Sequence, residues 1–244
     1  MRSVIIPARG GSQRIKGKNI RIFSGLPIIS WPITASLETG LFDEIFVSTD
    51  NQEIADISEK LGAKILWRPE KLADNFTGTT KVIQNALGTT LTHLSRDHWI
   101  YKIYPTSPVT PGLVRDFVNF AEKSPEQFSI SVGKFRNNIE RAMGLTDGGE
   151  LHPLSPEHLN SRSQDLEERF FDAGKIYGAT IAAWKATTSP LLQGAQGFIL
   201  PVWAAIDIDT EDDWVLAELC FTHLRNSYRS ETKLPGKTLP DEHF

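Results

Sequence analysis

Short apolar runs alternate with helix-like segments along most of the chain. Strands are predicted where apolar residues stand together between polar segments, at residues 4–6, 45–48, 64–67, 99–104 and 128–132. Apolar residues between these runs recur every three or four positions, as on one face of a helix, after residue 50, over 82–94 and after residue 110. This alternation predicts an α/β fold with three layers, in which helices cover both faces of a mostly parallel sheet.

Local signals mark the ends of several predicted helices. Asp50 or Asn51 can cap the first of them, and Glu53 is placed for a capping box. Gly62 is predicted to end that helix. A later helix is predicted to begin at Thr110, which a proline follows.

The alternation breaks between about residues 134 and 170. This stretch is polar and carries paired asparagines, paired glycines and two prolines. Regular structure is predicted again at 176–184, 198–202 and 205–208, and a last helix is predicted to begin at a Thr210 cap. We therefore predict a single domain over residues 1–244, with residues 134–170 as an excursion from its sheet.

Composition narrows the class of protein. The chain has 244 residues, enough for a sizeable core without a metal or disulfide staple, and a net charge of −4, which argues against a nucleic-acid partner. The single cysteine, Cys220, forms no internal disulfide and supplies no thiolate metal cluster. No apolar run is long enough to span a membrane, and the polar loop near the N-terminus comes too early for a secretory signal. A cytoplasmic protein is expected.

The residues with the most reactive chemistry follow predicted strands directly. They are residues 9–19, 49–50, 106–107, 207 and 209. Ligands of open α/β sheets bind beyond the carboxyl ends of the strands. The sequence therefore predicts one site at that edge of the sheet.

The loop after the first strand combines four cations with three glycines. It runs Ile-Pro-Ala-Arg-Gly-Gly-Ser-Gln-Arg-Ile-Lys-Gly-Lys-Asn over residues 6–19 and matches neither the P-loop nor the dinucleotide-binding pattern. Glycines let backbone N–H groups approach a polyphosphate, and Arg and Lys neutralise it. Composition leaves two interpretations open, a nucleoside-triphosphate cradle and a solvated basic turn.

Asp207 and Asp209 are two residues apart at the end of a predicted strand. Extended backbone would point both carboxylates to one face, where Mg²⁺, which prefers oxygen ligands, could bind. Alternatively, Asp209 caps the helix that follows. Spacing alone does not decide between the two interpretations. The acidic residues at 211–213 are expected to compensate the helix dipole.

Five segments occur in an order that resembles a known family. They are the loop above, Ser48-Thr49-Asp50, Arg68-Pro69-Glu70 with Leu72-Ala73-Asp74, Tyr104-Pro105-Thr106-Ser107-Pro108, and Asp207-Ile208-Asp209-Thr210-Glu211. Together they resemble the signature segments of the cytidylyltransferases that activate 3-deoxy acidic sugars, such as the CMP-sialic acid synthetases. The resemblance covers nearly the whole chain.

The resemblance implies a nucleotidyltransferase fold, CTP as a substrate, a requirement for Mg²⁺ and a homodimer. Asp207 and Asp209 would hold the metal and, with Arg9 and Lys18, form the catalytic group. The implied CTP-binding residues are Arg9, Gly10, Gly11, Ser12, Lys18, Asn19, Arg68 and Thr79. The family usually has Lys at the position of Gln13 and Gln at that of Tyr104, so this chain departs from the pattern at both.

The polar block from residue 160 to 174 is predicted to bind the acceptor sugar. Arg162 could pair with the sugar carboxylate through two parallel hydrogen bonds. The other residues predicted to bind the sugar are Thr106, Ser107, Gln164, Asp172, Ala173 and Gly174. A solvent-facing loop or a dimer arm is the alternative interpretation of the block. The resemblance implies that one block can form both the dimer arm and the sugar site, because in that family the excursion packs against the partner subunit near the site.

The sequence around this block resembles the pseudaminic acid branch of the family. That branch is favoured by the runs RSQDLE and DAG. The predicted reaction is attack of the sugar's 2-hydroxyl on the α-phosphorus of CTP, with release of pyrophosphate. Alternatives are activation of N-acetylneuraminic, legionaminic or 3-deoxy-octulosonic acid, and a non-catalytic protein that binds nucleotides or sugars.

Overall fold

The computed structural model describes residues 1–12, 14–74, 77–192 and 194–231, without the side chains of Leu192 and residues 225–231. Gln13 therefore lies outside the described residues. The strands are β1 Arg2–Pro7, β2 Ile22–Phe23, β3 Leu26–Pro27, β4 Glu44–Thr49, β5 Lys64–Trp67, β6 Trp99–Ile103, β7 Ser129–Lys134, β8 Met143–Leu145, β9 Leu151–Pro153, β10 Phe170–Thr180 and β11 Gln196–Ile199. The helices are α1 Ser30–Thr39, α2 Gln52–Lys60, α3 Thr79–Thr89, α4 Pro111–Ala121, α5 Ile181–Ala186 and α6 Glu211–Glu231.

Seven strands form the central sheet, in the order β11-β7-β10-β6-β1-β4-β5. Every neighbouring pair is parallel except the two that involve β10, which runs antiparallel to β6 and β7. The carboxyl ends of β1, β4, β5 and β6 therefore meet at one edge. The predicted α/β class with a mostly parallel sheet is confirmed.

Alternate side chains of β1 pack into different cores on the two faces of the sheet. Val4 and Ile6 join a core with Ile33 of α1, Ile54 of α2 and Phe117 of α4. On the opposite face, Ile5 joins a core with Leu87 of α3 and Trp184 of α5. This alternation follows from the two-residue period of a strand and creates the three layers.

A third core joins the first loop to the last helix. Ile15 and Phe23, which follow β1, pack with Ile208, Trp214 and Phe221, which precede or belong to α6. The Phe23 and Trp214 rings meet edge to face with centroids 5.3 Å apart. This packing brings the loop after β1 and the acidic segment before α6 to the same place.

Several predicted elements differ from the structure. Residues 205–208, all of them described, form no strand and lead directly into α6. Helix α3 ends at Thr89, although apolar residues at helical spacing continue beyond it. The segment predicted to be regular over 176–184 divides at Thr180, where β10 ends and the Thr180 side chain caps α5. Helix α1 was not predicted, because its sequence combines a proline with apolar and small polar residues and has little helical periodicity.

The helix caps depend on single side chains. Asn51, rather than Asp50, caps α2 by accepting a hydrogen bond from the Ile54 N–H at 3.0 Å. This places Ile54, not Glu53, at the position a capping box needs, so the capping box was a wrong prediction. Thr110 caps α4 as predicted.

Residues 135–169, all of which the structure describes, contribute no strand to the central sheet. They lie between β7 and β10 and contain the small antiparallel pair of β8 and β9. Large apolar side chains are exposed on this excursion, including Leu145 at 68% and Leu151 at 60%. Within the described residues, no helix is both long and apolar enough to cross a membrane.

Candidate active site

A cavity of about 490 Å³ opens at the carboxyl ends of β1, β5 and β6. It is polar and rich in cations. Seven residues that the sequence predicted for the site line its wall, namely Arg9, Ser12, Lys18, Asn19, Arg68, Thr79 and Thr106. Arg14 and Tyr104 also line the wall. The structure therefore brings most of the predicted nucleotide-binding residues together in one place.

Fixed polar contacts hold the first loop in shape. The Gly10 N–H donates to the Asp50 carboxylate at 2.9 Å, and the Asn19 side-chain amide donates to the Arg9 carbonyl at 2.8 Å. A Cβ at Gly10 would lie 3.0 Å from the Asn51 side chain, so a larger residue would push the loop away from α2. The Gly10 N–H is thus used to anchor the loop, whereas Gly11 faces open space.

Two arginines of the cavity wall are held by backbone carbonyls. The Arg9 guanidinium donates to the Asp74 carbonyl at 2.7 Å, and that of Arg68 donates to the Ser48 carbonyl at 2.9 Å. Burial lowers the pKa of Arg68, and the positive charge of Arg9 acts in the same direction. An anion in the cavity would relieve this repulsion between like charges.

The Asp209 carboxylate is paired with two cations of the first loop. Arg14 forms an ion pair with one carboxylate oxygen, and Lys18 lies 3.6 Å from the other. Lys18 also donates to the Ile208 carbonyl. Asp209 does not cap α6, because Thr210 accepts from the Asp213 N–H at 3.2 Å while Asp213 accepts from the backbone N–H groups of Asp209 and Thr210. The helix-cap interpretation of Asp209 is therefore wrong.

Asp207 is exposed, and several charged groups of the site act on its carboxylate. Desolvation raises the pKa of its carboxyl group, the neighbouring Asp209 raises it further, and the ammonium groups of Lys175 and Lys18 oppose this. Lys175 is 2% exposed and donates to the Thr106 carbonyl at 3.5 Å. Burial lowers the pKa of Lys175 to about 8. Sequence reasoning missed this residue, because nothing in the neighbouring sequence, Ala173-Gly174 before it and Ile176-Tyr177 after it, marks it as part of a site.

A bulge in β10 carries part of the predicted acceptor site. The Asp172 carboxylate accepts from the Tyr177 hydroxyl at 2.6 Å and from the Gly174 N–H at 3.0 Å. Gly174 has a φ of +61°, and a Cβ there would lie 4.0 Å from an Asp207 carboxylate oxygen. The bulge thus brings Gly174, to which Asp172 is hydrogen-bonded, close to Asp207.

The other predicted acceptor residues have different surroundings. Ala173 and Ser107 are fully buried and present no side chain to the cavity. Arg162 and Gln164 lie on the excursion, are exposed, and do not line the cavity. The Arg162 guanidinium pairs with Asp165 through two hydrogen bonds of 2.7 and 3.0 Å. In this conformation its charge is directed to a neighbour on the same loop.

A second cavity, of about 670 Å³, lies between the excursion and α6. Asp207 lines it, together with aromatic side chains that include Phe135, Phe171 and Trp203. Lys134 and Arg136 add positive charge to its wall. Sequence reasoning did not identify this cavity, because its residues come from four separate segments.

Residues 3–147 match the sequence model of the cytidylyltransferase family. The chain is also 35% identical over 223 residues to the pseudaminic acid cytidylyltransferase of Campylobacter jejuni subsp. jejuni serotype O:2, an alignment that covers 89% of this chain and 94% of the relative. The chain belongs to the cytidylyltransferase family. The expected family is thereby confirmed.

One further sequence relative and one solved structure are similar to this cytidylyltransferase. It is 31% identical over 227 residues to the CMP-N,N'-diacetyllegionaminic acid synthase of Legionella pneumophila, with 88% of this chain and 93% of the relative covered. Its fold is similar to a solved CMP:2-keto-3-deoxy-manno-octonic acid synthetase complexed with CTP, with a TM-score of 0.62 and 15% identity over 94% of this chain and 99% of that one. The expected nucleotidyltransferase fold is confirmed.

The donor set of the cytidylyltransferase fits Mg²⁺. Among the described residues no group of three or more His, Cys, Asp or Glu side chains could hold a metal, and Asp207 and Asp209 are the two side chains in this part of the chain that would contribute ligands. Mg²⁺ commonly takes one or two carboxylates and fills its other positions with phosphate oxygens and water. The pair lies beside a cationic cavity, where a polyphosphate would supply those oxygens.

Proposed function

We propose that this cytidylyltransferase transfers CMP from CTP to the 2-hydroxyl of an acidic nine-carbon sugar, with release of pyrophosphate. Pseudaminic acid is the proposed sugar, since the relatives from Campylobacter jejuni carry that activity in their names. One observation carries the proposal. A cavity with the cations Arg9, Lys18 and Arg68 in its wall adjoins a pair of carboxylates that could hold a divalent metal.

The cavity residues would act on CTP through charge and position. Arg9, Lys18 and Arg68 would neutralise the triphosphate, and the anchored loop would keep their geometry fixed before the substrate arrives. In phosphoryl-type transfers the protein need not form covalent bonds with the transferred group. Positioning and preorganised charges therefore supply most of the rate enhancement. Lys18 also lies 3.6 Å from Asp209, so a triphosphate bound to Lys18 would lie beside the acidic pair.

Asp207 and Asp209 would hold Mg²⁺. When bound, Mg²⁺ neutralises phosphate oxygens and lowers the pKa of a hydroxyl that contacts it. Arg14 and Lys18 orient the Asp209 carboxylate, while Lys175 offsets the negative charge at Asp207. These cations would limit repulsion between the two carboxylates before the metal arrives.

The acceptor would bind on the excursion side of the acidic pair. Asp172, which is fixed by Tyr177, and the backbone at Gly174 can position hydroxyl or acylamino groups of the sugar. Arg162 would exchange its partner Asp165 for the sugar carboxylate. The exposed Leu145 and Leu151 on the same excursion favour a second copy of the chain as the partner that covers them, so we propose a homodimer. The reaction is proposed to occur in the cytoplasm.

A panel of nucleotides and sugars tests the proposal. Pyrophosphate release is measured with CTP, UTP, ATP and GTP, each with Mg²⁺ and each with pseudaminic, legionaminic, N-acetylneuraminic or 3-deoxy-octulosonic acid. Release is expected with CTP and pseudaminic acid above every other combination. Release with a different sugar would reassign the acceptor, whereas CTP binding without release in any combination would favour a non-catalytic nucleotide-binding protein.

A further inference from the structure

Lys102 is a buried cation beneath the floor of the 490 Å³ cavity. It lies on β6, two residues before Tyr104, and is 2% exposed. Its ammonium lies 3.0 Å from the Thr79 hydroxyl oxygen and 3.4 Å from that of Tyr104. Thr79 and Tyr104 both line the cavity, whereas Lys102 does not. None of the steps described above uses this lysine.

The ammonium determines how the two hydroxyl groups can be used. When Lys102 is protonated it only donates hydrogen bonds, so Thr79 and Tyr104 then each accept one from it. Their oxygens are 3.2 Å apart, and one hydroxyl donates to the other. Two hydroxyls carry two hydrogens, and one of them is used in this bond. One O–H group is therefore left to donate to an acceptor atom in the cavity.

Lys102 also joins the cavity floor to the acceptor side. Its ammonium lies 3.4 Å from the centre of the Tyr177 ring, a cation–π contact, and the Tyr177 hydroxyl donates to Asp172. Burial raises the pKa of both Tyr104 and Tyr177, so the phenols stay protonated. Burial lowers the pKa of Lys102 to about 7, and the negative charge of Asp172 opposes that fall. A buried ammonium is costly, and this one is placed where it contacts both sides of the site.

We propose that Lys102 is a positioning residue that makes the Thr79–Tyr104 pair a hydrogen-bond donor to an oxygen or nitrogen acceptor of the bound nucleotide. This inference rests on the proposed function, because it takes CTP as the ligand of the cavity. The proposal adds a requirement on the ligand beyond the negative charge that the cationic residues of the cavity select. The ligand must present an uncharged or anionic acceptor atom opposite the Thr79–Tyr104 pair, in addition to its phosphates.

Equilibrium titration with CTP and Mg²⁺, without sugar, tests the inference. The proteins compared are the unmodified chain, Lys102→Met, Tyr104→Phe, the double variant, and Lys60→Met as a control at an exposed lysine at the end of α2. Methionine keeps the length and apolar stem of the lysine and removes its donors. We expect Lys102→Met to weaken CTP binding by about tenfold, Tyr104→Phe to weaken it by several-fold, and Lys60→Met to leave it unchanged.

The double variant separates positioning from a simple loss of charge. If Lys102 acts through the hydroxyl pair, the CTP affinity of the double variant should equal that of whichever single variant binds CTP more weakly. A general electrostatic effect would instead lower CTP affinity by the same factor with or without the Tyr104 hydroxyl. In turnover assays Lys102→Met should raise KM for CTP about tenfold while kcat changes by less than about threefold. Unchanged CTP affinity in Lys102→Met, or fully additive effects, would overturn the inference.

Failure of the proposed function and failure of this inference give different results in the titration. If the unmodified chain does not bind CTP, the proposed function fails, and this differs from binding that Lys102→Met leaves unaltered. Circular dichroism and thermal unfolding show whether Lys102→Met folds. If it does not, CTP titration of Tyr104→Phe and Thr79→Val tests the inference instead. Weaker CTP binding in both variants supports the inference, and unchanged binding in both overturns it.

Discussion

The Lys18 ammonium lies 3.6 Å from the Asp209 carboxylate, which links the loop after the first strand to the segment before the last helix. The link depends on a core of its own, in which Ile15 packs with Ile208 and Trp214. Lys18, which is proposed to face the triphosphate, and Asp209, which could hold a metal, are thereby fixed beside each other.

Replacing either acidic residue of the pair should abolish most turnover. Asp207→Asn and Asp209→Asn each remove one anionic oxygen from the proposed Mg²⁺ site, so kcat should fall by at least about a hundredfold. Asp212→Asn, at an exposed position in the first turn of α6, is the matched control and should keep normal activity. Pyrophosphate release at saturating CTP measures the effect. Near-normal activity in both Asp207→Asn and Asp209→Asn would show that the metal does not bind there.

Removing a cation from the cavity wall should weaken transition-state stabilisation. Arg9→Ala and Lys18→Ala should each lower kcat/KM for CTP. The fall should correspond to a loss of roughly 2–4 kcal/mol in transition-state stabilisation, as expected for preorganised charges. Lys16→Ala is the control, since Lys16 lies on the same loop, is exposed and does not line the cavity. Equal losses in all three variants would mean that only the net charge of the loop matters.

The sheet and the nucleotide side of the site were predictable because they depend on local sequence. Runs such as Val4-Ile5-Ile6 are short, bounded and β-branched, which favours a buried strand, and the loop that follows then lies at the strand's carboxyl end. The glycines and cations of that loop are contiguous in sequence. Their position at the cavity therefore needed only a mostly parallel sheet, which the α/β alternation predicts.

Features that depend on distant contacts could not be predicted in this way. Residues 205–208 have the composition of a strand, yet they pair with no strand, and Ile206 and Ile208 pack in the core that contains Ile15 of the first loop. Lys102 and Lys175 occupy strand positions with no sequence pattern to distinguish them, and only the fold shows which groups surround them. The pairing of Arg162 with Asp165 likewise depends on the local path of the excursion.

The excursion should hold two chains together. Leu145→Asp combined with Leu151→Asp places charges on the exposed β8–β9 pair and should convert a dimer into a monomer, because a buried unpaired charge opposes association. Leu37→Asp, at a partly exposed position on α1, is the control and should leave the dimer intact. Sedimentation at micromolar concentration measures the mass. A monomeric, fully active unmodified chain would refute the dimer.

Arg162 should act on the sugar and not on the nucleotide. Arg162→Ala should raise KM for pseudaminic acid by about tenfold or more while CTP affinity stays the same, because its guanidinium is proposed to pair with the sugar carboxylate. Arg169→Ala provides a comparison on the same excursion, since Arg169 is paired with Glu140 and Glu167. Titration with CTP and initial rates at varied sugar separate the two effects. A loss of CTP affinity in Arg162→Ala would contradict this assignment.

The most direct test of the central claim is product analysis by phosphorus NMR and mass spectrometry after incubation with CTP, Mg²⁺ and pseudaminic acid. Attack of the sugar's 2-hydroxyl on the α-phosphorus predicts CMP-sugar and pyrophosphate in equal amounts, and a rate at least about tenfold above that with N-acetylneuraminic acid, on the order of 1.4 kcal/mol. Equal or faster use of N-acetylneuraminic acid would contradict the choice of sugar. Release of CMP without a sugar conjugate, or no pyrophosphate with any acidic sugar, would contradict cytidylyl transfer itself.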